Sequence, residues 1–235
     1  MQKQSKKIIK ASRINCIERI PNEVLIREIL GRVAESSYTD LFNLRLSCKI
    51  FNEIAEDKYV YQCVSLDRFP IVHWVPLKEK QKSFLNKCQE YGNPEMLYRQ
   101  AMLDYFNRGK RRSACNHLDK AVKLDHKGAY YLACIIMIIC GDPESKAFGI
   151  KYLSEFKKSN TKHVTRVCRN NLIKYLGKMW VNNPDLHRSS TCCSNPNPHQ
   201  RRQMWCDDDA INECEACDAD REIKMIRSTI HSYHE

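Results

Sequence analysis

The residues best placed to do chemistry together are thiols near the C-terminal end. Cys214-Glu215-Ala216-Cys217 is a Cys-x-x-Cys pair, and that spacing lets two thiolates reach one tetrahedral ion from a single helical turn. Upstream, Cys192 or Cys193, with His199 or Cys206, would supply the remaining ligands. Cys206 is closer in sequence to the pair than His199, and Trp205 beside it would shield the site from water. Cys193, Cys206, Cys214 and Cys217 are therefore the candidate metal centre, with zinc as the ion it would hold. A metal would let so polar a stretch fold without a large apolar core. The competing reading is a tail of ordinary thiols. Redox work is not indicated, because no strand–helix–strand pattern surrounds the pair.

Catalysis has weaker support. Cys134 or Cys168 with His117 or His163 gives thiol and imidazole partners, but all sit at positions that helix packing explains, where a free thiol behaves as a small hydrophobe. There is no glycine-rich phosphate loop, no nucleophile elbow and no His-Glu-x-x-His. The expectation is a protein without catalytic activity of its own.

The elements that would carry these thiols are helical. The chain has 235 residues, 43% of them hydrophobic and only 7 of them Gly, which suits one large or two small helical domains. The longest apolar run, 129–140, is too short to cross a bilayer, which needs about 20 residues, and reads as a buried helix. Residues 1–13 are polar and basic and lack the apolar segment of a secretory signal. Thirteen cysteines in such a chain are expected as reduced thiols in the nucleus or cytoplasm, not as disulfides of a secreted protein. The formal net charge of +11 raises the prospect of an acidic partner. Its lysines and arginines are scattered, and Asp207 to Asp209 would repel phosphates, so nucleic acid is not the expected ligand.

Residues 20–55 carry more apolar surface than three short helices can bury among themselves. Pro21 opens a helix where its missing N–H costs nothing. Leu25, Ile29 and Val33 recur on one face, with Ile26 and Leu30 beside them. The stretch 36–40 offers capping oxygens for a second helix, whose stripe is Leu41, Leu44 and Cys48; Phe51, Ile54 and Ala55 form a third. The order Ile20-Pro21, Glu23-Val24-Leu25, Ile29-Leu30, Leu44-Arg45 and Ser47-Cys48-Lys49 with Phe51 resembles an F-box. That resemblance implies a three-helix motif that docks on the Skp-type adaptor of a cullin–RING ubiquitin ligase. The positions it assigns to the adaptor are Ile20, Pro21, Val24, Leu25, Ile29, Leu30, Val33, Leu44, Cys48, Lys49 and Phe51. The family's usual Leu-Pro start is Ile20-Pro21 here, its second proline is Ala34, and its tryptophan is Phe51. The run Leu66-Asp67-Arg68-Phe69-Pro70 is similar to the segment after the motif in short plant F-box proteins.

The middle of the chain repeats itself. Asn93-Pro94 opens one helix, with Leu97, Ala101 and Tyr105 on a face and Gly109 as its left-handed stop. A second helix carries Cys115, Leu118 and Val122. Tyr131, Cys134 and Ile135 restart the pattern, and Asp142-Pro143 opens the helix of Ala147, Ile150 and Leu153. Tyr98 aligns with Tyr131 and Leu118 with Leu153, a period of roughly 33–35 residues that suits a helix-turn-helix repeat. Ala101, Ala121 and Ala133 would let the helices approach closely. Tyr98-Arg99-Gln100-Ala101 and Tyr131-Leu132-Ala133 resemble the Sel-like relatives of the tetratricopeptide repeat, which implies a scaffold with a concave protein-binding face. Two repeats are few, so flanking helices at 78–91 and 161–180, the latter with Val164, Cys168, Leu172 and Leu176 in line, would complete the stack.

The expected chain is all-α: a basic flexible tail at 1–17, an F-box at 18–66, a linker at 67–77, helical repeats at 78–183, and a mostly irregular Cys-rich tail at 184–235, with a helix from Asp220-Arg221-Glu222 to Tyr233. Its expected role is substrate recognition in a Skp–cullin–F-box ligase, joining the adaptor, and through it cullin, to a target protein. The rival readings are a binding scaffold without a ubiquitin link and a basic, zinc-stabilised nucleic-acid-binding protein.

Overall fold

The computed structural model describes residues 20–72, 76–140, 142–187, 192–193 and 214–231, all of them helix, turn or coil. The chain divides into two compact units, Met1–Ser65 and Leu66–Glu235.

In the first unit, α1 spans 22–36 and is wound as a π-helix over Leu25–Gly31. It is followed by α2 (Tyr38–Ser47), α3 (Lys49–Ile54) and α4 (Lys58–Cys63). Among the capping oxygens expected at 36–40, the Ser37 side chain accepts from Asp40 N–H at 3.2 Å and starts α2. Asp57 caps α4 by accepting from Tyr59 N–H at 2.8 Å. The interior is Leu25, Leu30, Ala34, Leu41, Phe51, Ala55, Val60 and Tyr61. A Cβ on Gly31 would stand 2.8 Å from the Tyr59 ring, so the absent side chain is what lets α4 lie against α1.

The second unit holds α5 (Glu79–Glu90), α6 (94–107, π-wound over its last part, Leu103–Asn107), α7 (Arg111–Lys123), α8 (Lys127–Cys140), α9 (Pro143–Ser159), α10 (Lys162–Leu176) and α11 (Glu215–His231). Asn93, Asp142 and Thr161 cap α6, α9 and α10 through their side-chain oxygens, with proline at the first turn of α6 and α9. Helices α6 with α7, and α8 with α9, pair as the two hairpins of the repeat. Tyr98, Tyr131, Leu118 and Leu153, the residues that define the period, are all buried. The apolar run forms α8, which packs against α7, α9 and α10 and buries Leu132, Ile135, Ile136, Ile138 and Ile139.

Three expectations change. The segment expected as a linker, 67–77, is not a spacer, for Phe69 and Ile71 are buried and the second unit starts at Leu66. The guanidinium of Arg99 donates to the carbonyls of Phe69 at 2.7 Å and Leu66 at 2.9 Å, satisfying backbone acceptors in a segment that has no helical partners. The helix expected in the tail after Asp220 is α11 and starts earlier, at Glu215; its Ala219, Ile223 and Ile226 are buried, and it packs on α9 and α10. Ala133 is only half-buried and Ala147 is exposed. The close approach between α8 and α9 is made instead at Gly149, where a Cβ would meet Met137 at 2.8 Å and the Cys134 carbonyl at 3.0 Å.

Candidate functional site

In the N-terminal unit the structure divides the residues assigned to an adaptor. Leu25 is 1% exposed and Leu30 0%, and Phe51 is buried as well, so these three build the interior. They face inward because each lies on the side of its helix that the other helices cover. Ile20, Ile29, Val33, Leu44 and Cys48 are half-buried, and Pro21, Val24 and Lys49 are exposed. Val24 keeps 44% of its surface and Leu46, which the sequence reading passed over, keeps 82%. Leu46 follows the Leu44-Arg45 pair, and an apolar residue left in water next to a buried stripe was the signal to find it. Arg45 is held by Glu56, and Glu56 also accepts from the Tyr61 hydroxyl at 2.8 Å, so the α2 C-terminus is fixed against α3 and α4.

Within the second unit an open groove of about 390 Å³ lies between the α7–α8 turn and the end of α9. Asp125, His126, Lys127, Tyr130 and Glu155 are among its lining residues, a mixture of both charges with aromatic edges. Asp125 adopts φ 59°, a left-handed stop for α7 that aspartate tolerates better than most residues. His126 Nδ1 accepts from Ala129 N–H at 3.0 Å, which leaves Nε2 to donate to Glu95 at 3.0 Å. Glu95 also accepts from Arg99 Nε at 2.6 Å and from the Tyr175 hydroxyl at 2.9 Å. Burial alone would raise its carboxyl, but the His126 and Arg99 partners outweigh it and hold the carboxyl below the ordinary range.

The third constellation is the thiol cluster. The sulfurs of Cys193, Cys214 and Cys217 lie within 4.8 Å of one another, with Cys193 Sγ and Cys214 Sγ 3.9 Å apart. Cys214 occupies the N-cap of α11: its carbonyl accepts from Asp218 N–H at 3.1 Å and its sulfur lies 3.5 Å from Cys217 N–H. That N–H, pointing at the sulfur, draws the Cys214 thiol below its usual pKa, while burial and the neighbouring sulfurs push Cys217 up to about 12. Asp220, one helical turn on, accepts the backbone N–H groups of Cys192 at 2.7 Å and Cys193 at 3.1 Å. Cys192 is not one of this group: its thiol is raised to about 12 by burial and by the Asp220 carboxylate. Cys206 and His199 lie outside the described residues.

Residues 66–177 match the family of plant tetratrico peptide repeats. At1g67623 of Arabidopsis thaliana, named as an F-box protein, is 29% identical over 164 residues, 70% of this chain and 52% of that protein. F-box protein At2g35280 of Arabidopsis thaliana is 27% identical over 149 residues, 63% of this chain and 87% of its own length. The chain is similar to plant F-box proteins and carries helical repeats. It spans about half the length of the first of these relatives. No solved structure matches it.

Within α1 to α3 the assigned residues divide by burial. Leu25, Leu30 and Phe51 are what make a unit this small fold, and Val24 and Leu46 are what it leaves in water. The repeat family match begins at Leu66, where the second unit begins, so Leu66 to Ile71 belong with the repeats they pack on. Arg99 is the residue in the repeat pattern that sequence reading undervalued. The sequence alone places it in the Tyr98-Arg99-Gln100-Ala101 stretch, yet a buried cation beside a buried tyrosine needs internal acceptors. No helix among the described residues is long and apolar enough to cross a membrane.

Proposed function

We propose that this chain is the substrate-recognition subunit of a Skp–cullin–F-box ubiquitin ligase, working in the nucleus or cytoplasm without catalytic groups of its own. The observation that supports this most is the pairing of two units: a short helical unit that folds on its own core yet leaves Val24 and Leu46 in water, and a separate unit of helical repeats. The likeness to two F-box proteins supports a Skp-type adaptor, and through it cullin, as the partner of the first unit. The mechanism is proximity. The first unit holds the adaptor, the repeats hold a target, and the target's effective concentration near the ubiquitin-carrying enzyme rises without any new bond being formed by this chain. The groove beside His126 and Tyr130 is the concavity on the repeats through which a target peptide carrying both charges would be read.

Co-expression of the full chain with the host's Skp-type adaptor tests this. The expected outcome is a complex that survives size exclusion, and a folded chain that elutes apart from the adaptor would overturn the receptor reading.

A further inference from the structure

We propose that Cys193, Cys214 and Cys217 hold one zinc ion as thiolates, and that the ion pins the 192–193 segment to the N-terminus of α11. Three sulfurs arrive at one point from two segments that are 21 positions apart along the chain at their nearest contact, Cys193 with Cys214. Tetrahedral zinc with bonds of about 2.3 Å sets its sulfur ligands about 3.8 Å apart. The Cys193–Cys214 separation of 3.9 Å already meets that spacing, and the widest separation in the group, no more than 4.8 Å, closes with a sub-ångström movement of side chains. A disulfide would need the two sulfurs at about 2.05 Å, and they stand 3.9 Å apart.

The surroundings suit a metal more than a chance meeting of thiols. The N-terminus of a 17-residue helix faces the sulfurs, and its first-turn N–H groups, that of Cys217 among them at 3.5 Å from Cys214 Sγ, favour the negative charge that thiolates carry. Asp220 fixes the backbone of Cys192 and Cys193 by accepting both N–H groups, so Cys193 is presented to the α11 thiols before any ion arrives. Soft thiolates select zinc over the hard cations magnesium and calcium. On binding, each coordinating thiol gives its proton to solvent and its sulfur lone pair to the ion, with no oxidation.

The purpose follows from where α11 sits. Its apolar contribution is small, Ala219, Ile223 and Ile226, yet it brings two buried carboxylates, Asp218 and Glu222, to Lys157 and Arg169. A zinc tie at its first turn holds the helix in the register that keeps those charges paired. The site is structural, closing the repeat stack, and does not depend on the receptor role; adaptor binding and metal content can fail separately.

The test uses the full chain, purified under reductant and without chelator, and read by elemental analysis. The expected content is about one zinc per chain, the stoichiometry of a single structural site. C193S and C217S should lose it, and C115S, an exposed thiol away from the cluster, should keep it. Should the variants fold poorly, cobalt exchanged into the wild-type chain decides: sulfur-to-cobalt charge transfer with tetrahedral d–d bands is the expected spectrum. A folded, reduced chain without metal would overturn the proposal. So would iron or copper in place of zinc, a Cys193–Cys214 disulfide, or a cobalt spectrum without thiolate bands.

Discussion

In the N-terminal unit the helix ion pairs lie on the outside. Arg27 with Glu23 at 3.4 Å and Arg32 with Glu28 at 2.7 Å join side chains that are each more than half exposed. In the repeat unit the strongest pairs are inside. Lys157 donates to Asp218 at 2.6 Å and to Glu222 at 2.9 Å, and Arg169 grips Glu222 with two bonds, at 2.7 and 2.6 Å. The Tyr131 hydroxyl adds a further bond to Glu222 at 2.7 Å. Among the described residues, every buried charged side chain belongs to the second unit. The difference is one of specification. The first unit is held by apolar burial, which tolerates exchange of similar shapes. The second fixes the register of α8, α9, α10 and α11 by buried charges that must meet their partners in an apolar setting.

The largest effect should come from breaking that buried network. Glu222→Gln leaves the Arg169 guanidinium without its carboxylate and should cost about 3–5 kcal/mol in denaturant unfolding of the full chain. An unchanged unfolding midpoint would mean that the network adds nothing to α11 docking. The same residue sets an acid limb. Burial alone would raise the Glu222 carboxyl, but Arg169 and Lys157 hold it down at about 2, against an ordinary 4.5. A depressed carboxyl stabilises fully above its unfolded pKa and loses that stabilisation as pH falls through the folded value. Stability should therefore fall from roughly pH 4.5 toward pH 2 in the wild type, and Glu222→Gln should flatten that fall.

Next in size, Leu30→Ala empties a fully buried site in the first unit and should cost about 2–5 kcal/mol there. Because the two units have separate cores, limited proteolysis of this variant should release the repeat unit intact. Simultaneous loss of both would contradict the division at Ser65. The smallest effect should be Arg32→Ala. Its partner Glu28 is exposed, and such pairs are worth about 0.2–1 kcal/mol, so the thermal midpoint should barely move.

Much of this architecture was readable from residue order. Asn93-Pro94 and Asp142-Pro143 mark helix starts through chemistry that acts over a few residues, and the structure places α6 and α9 there. The apolar run of α8 could only be a buried helix. What escaped reading were bonds between distant positions. Glu222 meets Arg169 across 53 positions and Tyr131 across 91, and no periodicity records such a pairing. The same limit explains the two boundaries. Arg99 reaches back 33 positions to Leu66, so a proline-punctuated stretch that looks like a linker is part of the repeat core. Leu25 and Leu30 show the limit in the first unit: the pattern said that the face was apolar, but only packing says which apolar residues meet each other. For the thiols, the Cys-x-x-Cys pair and Cys193 were legible as a group, and the Asp220 clasp on the Cys193 backbone was not.

The central claim is that the residues left in water by the first unit are an adaptor surface, and the most direct measurement is adaptor affinity of the full chain carrying Val24→Asp and Leu46→Asp. Both positions are exposed, so the thermal midpoint should stay within a few degrees of the wild type. A charge forced into an apolar contact without a partner costs at least about 1.4 kcal/mol, tenfold in affinity, at each position. The expected result is binding to a Skp-type adaptor weakened roughly a hundredfold or more, with folding unchanged. Adaptor binding at wild-type strength by the folded double variant would contradict the account.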